Sequence, residues 1–140
     1  MTTPLECTIP GLKTSSANAM LRGNRFGHIR AAKQQRHATY VSLLGEDMFR
    51  DRKKPIDMHE WQGALAYLTG APVTVTVTRC SAGELDSHDN LRTALKHVVD
   101  GVADFLGCDD RDSRVTWVYA QQREKRGVHA VKIKIEGTAT

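Results

Sequence analysis

The sequence predicts an α/β fold of the α+β kind: a mixed, mostly antiparallel sheet with helices packed on one side, in a single domain spanning residues 1–140. Three observations carry that expectation. The stretch "PVTVTVTRC" alternates Val73, Val75 and Val77 with Thr74, Thr76 and Thr78, the period of a strand with one covered face. Behind Leu91, the residues Leu95, Val98, Val99, Val102, Phe105 and Leu106 recur at the spacing of a helix packed on one side. Near the end, Val131, Ile133 and Ile135 alternate with Lys132 and Lys134, a second half-covered strand with a wet, basic face.

The elements follow in order. "LECTI" alternates apolar and polar residues before Pro10-Gly11 and reads as a short first strand. "LKTSSANAMLRGNRFGH" mixes Ser, Asn and Gly with arginine and reads as a long ordered loop. A helix is expected from about Arg30 to Met48, with Ala38, Val41, Leu44 and Met48 at helical spacing. "RDRKKP" interrupts it. "DMHEWQGALAYL" places Trp61, Ala64, Leu65 and Leu68 on one face of a second helix, which Gly70 and Pro72 end. After the Val-Thr strand comes the helix from Asn90, capped by Ser87 or Asp89 and stopped at Gly107. "RVTWVYAQ" and "VHAVKIKIEG" then read as strands joined in a hairpin by the basic loop "QQREKRG".

Composition removes several function classes. The chain is 40% hydrophobic and 26% charged, the mix of a soluble globular domain. No apolar run approaches the roughly 20 residues of a membrane span. "MTTPLECTIPG" lacks the order of a signal peptide, so a cytoplasmic protein without a membrane partner is expected. Cys7, Cys80 and Cys108 are odd in number and far apart, which argues for reduced thiols. Cys80, His88 and Cys108 do not have the spacing of a zinc site.

Charge is unevenly distributed along the chain. Lys13 to Arg36 holds six basic residues and no acid, and Ser81 to Asp112 holds eight acids against three basic residues. Beyond Ser113 the balance is basic again. The acids Asp86, Asp89, Asp109 and Asp110 bracket the helix, with Lys96 on its polar side. Lys96 leans toward the helix N-terminus and toward Asp89. Asp109 and Asp110 lie about 25 Å from Asp89 along such a helix, so the loop beyond Gly107 must turn back to unite them. Clustered carboxylates repel one another unless a cation sits among them, and hard oxygen ligands suit Mg²⁺. A Mg²⁺ site beside basic arms fits phosphodiester hydrolysis, the arms holding the phosphate backbone. The same residues also have ordinary roles: helix capping for Asp89, turns for Asp109, Asp110 and Asp112, and a surface pair for Lys96 and Asp100.

"LDSHDNLRTALKHVVDGVADFLGCDDRDSRVTW" resembles the core of the RusA-like endodeoxyribonucleases, the Holliday junction resolvases of lambdoid phage origin. That family shows a D-x-D-N-L pattern, a lysine on the ensuing helix and an acidic pair after it. Asp89-Asn90-Leu91 matches the second acid, Lys96 the lysine and Asp109-Asp110 the pair. "IPGLKTSSAN", ending at Asn18, resembles the family's start. Two departures stand: the first acid is Asp86 rather than position 87, and Lys96 is farther from Asp89 than the pattern has it.

The resemblance implies a RusA-like homodimer that nicks Holliday junctions or other branched DNA in symmetric pairs. Mg²⁺ would serve it, and Mn²⁺ would substitute. Two related strands call for two sites related by a two-fold axis. The implied catalytic set is Asp86, Asp89, Asp110 and Lys96, with metal held by Asp86, Asp89 and Asp110 and, second to it, Asp109. Asn18, Arg22, Arg25, Arg30, Lys33 and Arg36 are candidates for DNA contact, with Arg123, Lys125 and Arg126 in the final loop. His88, between two acids, is read as solvent-facing. Two other functions fit the residues: a non-cleaving protein that binds branched DNA, and a metal-dependent hydrolase of small phosphate esters.

Overall fold

The computed structural model describes residues 5–14, 25–48, 70–85 and 90–138. The elements are β1 (Leu5–Pro10), α1 (Arg25–Met48), β2 (Val73–Ser81), α2 (Asn90–Ala94), α3 (Lys96–Leu106), β3 (Val115–Arg123) and β4 (Ala130–Gly137). The expected helix containing Trp61 lies outside the described residues.

The four strands form one mixed sheet in the order β1-β4-β2-β3. β4 runs antiparallel to both β1 and β2, while β2 and β3 are parallel. Three strands, β1, β2 and β3, therefore point the same way and end at the same side of the sheet. The expected β3–β4 hairpin is overturned. β3 pairs with β2, as the return through α2 and α3 requires of a parallel neighbour. β4 takes the other side of β2, so Glu124–His129 crosses the end of that strand, and the Glu124 amide donates to the Ser81 carbonyl at 3.0 Å.

Alternation decides which face is covered. Val73, Val75 and Val77 are fully buried on the helix side, in register with Ile135 and Ile133 of β4. Leu5, Cys7 and Ile9 of β1 extend that face, and Leu91, Leu95, Val98, Val99, Val102 and Leu106 close over it. Lys132, Lys134, Thr76 and Thr78 line the other face, around a shallow cavity of about 340 Å³. Its walls carry Glu6 as their only acid among the described residues, so it is not the acidic site.

The helices depart from expectation in two ways. The expected single helix divides at Leu95, which joins α2 to α3 with φ −97° and ψ 2°. Hydrogen bonds from the Leu95 amide to Leu91 and from the Val99 amide to Leu95 keep the two pieces in line. Gly107 then ends α3 in the left-handed conformation, at φ 73°. α1 begins at Arg25, five residues before the expected Arg30. A lone Gly27 reads as a turn signal yet weakens a helix by only about 1 kcal/mol.

The expected apolar stripe of α1 holds only in part: Ala38 and Leu44 are half-buried, and the Met48 side chain lies outside the described residues. Val41 is 47% exposed, whereas Gln35, Thr39 and Leu43 are buried at i, i+4 and i+8. The reason is the crossing with α3. Gly101 lies so close to α1 that an added Cβ would stand 2.6 Å from the Arg36 carbonyl oxygen and 2.7 Å from the Thr39 Cβ. Only a small residue fits beneath, and the Thr39 hydroxyl donates to the Gln35 carbonyl at 2.8 Å.

Candidate functional site

The helix beginning at Lys96 and the loop following Gly107 meet. Lys96 Nζ donates to Asp110 Oδ2 at 2.7 Å and to Asp100 Oδ1 at 3.2 Å. So the loop turns back along α3 as far as Lys96. The lean of Lys96 toward Asp89 is not observed: its ammonium points to Asp100, one turn toward the C-terminus, and to Asp110. Two carboxylates outbid the rotamer preference. Lys96, then Asp109, hold the Asp110 carboxyl below the usual carboxylate range, and Asp110 in turn raises the Lys96 ammonium. Asp109 turns its Oδ1 to the Arg111 amide at 2.9 Å, the turn role weighed from the sequence. Asp86 and Asp89, with Ser87 and His88, lie outside the described residues.

β3 positions these pieces. Its helix-facing side chains each grip a different segment. Trp117 Nε1 donates to the Asp110 carbonyl at 3.0 Å. The Arg92 guanidinium of α2 sits 5.3 Å from the centre of the Tyr119 ring, a cation–π contact. Gln121 Nε2 donates to the Leu85 carbonyl and Gln121 Oε1 accepts from the Leu85 amide, both at 2.8 Å. That amide imitates a strand neighbour and fixes the residue before Asp86. Trp117 and Gln121 are four positions apart, so Asp110 and Leu85 are anchored about 13 Å apart along the strand.

A second polar group lies at the carboxyl end of β2. Arg79 is 8% exposed and shares the helix-side face with the valines. Its Nε donates to Thr14 Oγ1 at 3.1 Å and its Nη1 to the Gly83 carbonyl at 2.7 Å. Burial pushes its guanidinium pKa down. Beside it, Gln35 Nε2 donates to the Lys13 carbonyl at 3.0 Å, and Gln35 Oε1 is buried without a hydrogen-bond partner among the described residues. Sequence reasoning missed Arg79, Gln35, Arg92, Trp117 and Gln121. For Arg79 a signal existed: it breaks the valine row of its own strand.

The candidate DNA contacts are spread over the rim. Arg30 and Lys33 are exposed on α1, and Arg123, Lys125 and Arg126 are exposed at the end of β3 and in the loop beyond. Arg36 is exposed, but its guanidinium makes a two-pronged bond to Asp104, at 2.6 Å from Nε and 2.7 Å from Nη2. It reaches a phosphate only by leaving that carboxylate. Arg25 opens α1 with its side chain outside the described residues, as are Asn18 and Arg22.

Among the described residues, no three His, Cys, Asp or Glu side chains form a metal-holding group. Among them, also, no helix is long and apolar enough to cross a membrane. No family model matches the chain, and no curated protein matches it.

Proposed function

We propose that this chain is a Mg²⁺-dependent, structure-selective endonuclease that cuts branched DNA in paired nicks as a homodimer in the bacterial or phage-infected cytoplasm. One observation carries the reading. Lys96 of α3 and Asp110 of the following loop, fourteen residues apart, meet at 2.7 Å beside β3, the strand that holds Asp110 through Trp117 and the entry to the acidic segment through Gln121. The topology adds support. The basic stretch after β1, the acidic one after β2 and the basic one after β3 all leave from one end of the sheet. Ligands of open α/β sheets bind at that end.

The donor set fits the ion. Asp109 and Asp110 offer carboxylate oxygens, and the Lys96 ammonium holds the Asp110 carboxyl below the usual carboxylate range. Asp86, Asp89 and Asp110 would hold Mg²⁺, with Asp109 second. The ion would polarise the scissile phosphate and favour the ionised form of an attacking water. Lys96 would exchange its carboxylate partners for the charge growing on the phosphate. Arg30, Lys33, Arg123, Lys125 and Arg126, with Asn18, Arg22 and Arg25, would hold the backbone of the branched DNA.

The test is a labelled four-way junction incubated with protein and Mg²⁺, then with EDTA. Paired nicks that require the metal are expected. A shifted but uncut junction under both conditions would replace the nuclease with a non-cleaving binder of branched DNA. Asp89→Asn should abolish cutting and leave junction binding intact; cutting at the wild-type rate would remove Asp89 from the site.

A further inference from the structure

We propose that Arg79 is a positioning residue that locks the basic and acidic loops into one working geometry. The inference rests on the nuclease reading above for its consequence, though not for its structural content. Arg79 is the one described side chain that bonds to both loops. One donor takes Thr14, where the segment after β1 sets off, and another takes Gly83, in the segment after β2. Gln35 of α1 holds the neighbouring Lys13 carbonyl, so this strap is pinned from the sheet and from the helix at once.

Stability alone does not account for an arginine here. It continues a row of buried valines, and its partners among the described residues are a hydroxyl and a carbonyl, neither of them charged. A buried cation with neutral partners costs free energy that an apolar side chain of similar volume would not. Gln35 Oε1, buried with no partner among the described residues, adds to that cost. What arginine supplies and methionine lacks is a rigid fork with donors in two directions. That fork sets the distance between the loop that would grip the phosphate backbone and the loop that would present carboxylates. An error of about 1 Å in such a distance lowers turnover about 100-fold.

The experiment compares wild type with Arg79→Met, Arg79→Lys and Thr14→Val. Three measurements are made: melting temperature, amide hydrogen exchange at residues 12–14 and 83–85, and, on a four-way junction, binding in Ca²⁺ against single-turnover nicking in Mg²⁺. Arg79→Met is expected to melt no lower than wild type, to exchange faster in both loops, and to nick about 100-fold more slowly while binding the junction as before. Arg79→Lys should not rescue nicking, because an ammonium lacks the fork. Thr14→Val should show a smaller change of the same kind, concentrated in residues 12–14. Nicking at the wild-type rate with unchanged exchange overturns the proposal, as does full rescue by lysine. If wild type itself does not nick, the nuclease reading fails. The loop-locking role is then judged by exchange: faster exchange in both loops supports it, and unchanged exchange overturns it.

Discussion

Gly101→Ala tests the helix crossing that holds the candidate site in place. An added methyl would stand 2.6 Å from the Arg36 carbonyl oxygen, 2.7 Å from the Thr39 Cβ and 3.0 Å from the Thr39 Cγ2. Optimal carbon contacts are about 3.5–4.0 Å, so α1 and α3 must part by roughly 0.5–1 Å. Two of the three obstacles, a backbone oxygen and a Cβ, cannot rotate away. Overpacking of this kind costs about 1–3 kcal/mol. Alanine returns up to about 1 kcal/mol through helix propensity. The net loss is about 1–2 kcal/mol, which lowers the melting temperature of a 140-residue chain by roughly 3–7 °C. The control is Gly83→Ala, where nothing lies within 4 Å of the new atom. Thermal melts by circular dichroism compare the two. Gly101→Ala melting at or above wild type would refute the close crossing. Because Gly101 follows Asp100, a partner of Lys96, the shifted helix should also slow junction nicking.

Asp110→Asn should separate stability from activity. The pair with Lys96 is solvent-exposed, with Lys96 at 53%, so solvent screening limits its contribution to under about 1 kcal/mol. On the proposed nuclease reading the substitution should lower nicking about 100-fold or more, and equal nicking by mutant and wild type would make Asp110 a surface residue. His97 makes stability depend on pH. Burial pushes its imidazole below the usual value, ahead of the opposing pull of Asp100. The folded state then binds fewer protons than the unfolded state just below pH 6.5, so stability should fall as pH drops from 7 to 5. His97→Gln should flatten that slope in denaturant titrations, and an NMR midpoint for His97 above 6.5 would contradict it.

Local periodicity made β2, β4 and the long helix readable, because each buries one face and repeats at its own period. It did not show partners. Val115 to Arg123 alternates in the same way whether it lies beside β4 or β2, and the basic turn between β3 and β4 imitates a hairpin. α1 misled for a different reason. Its covered face is Gln35, Thr39 and Leu43, since a glycine on the facing helix brings the backbones together and leaves space for little else. The acids and Lys96 stood out by type and spacing, but the partner of Lys96 did not. It depends on how far the loop after Gly107 climbs, which Trp117 sets by holding the Asp110 carbonyl. Bonds from side chains to groups far along the chain, such as Gln121 to Leu85 and Arg79 to Thr14, leave no pattern in the sequence.

The placement of β4 has a consequence for how the protein is made. β1 joins the sheet only through β4, which sits between it and β2 and comes last among the described strands. On the ribosome, β2, α2, α3 and β3 can assemble as they emerge, while β1 waits for its neighbour. Closure of the sheet is then a late, long-range event, the kind that slows folding. A nascent chain stalled at residue 129 would hold the β2–β3 pair with a bare edge and an unpaired β1, both open to pairing with other molecules.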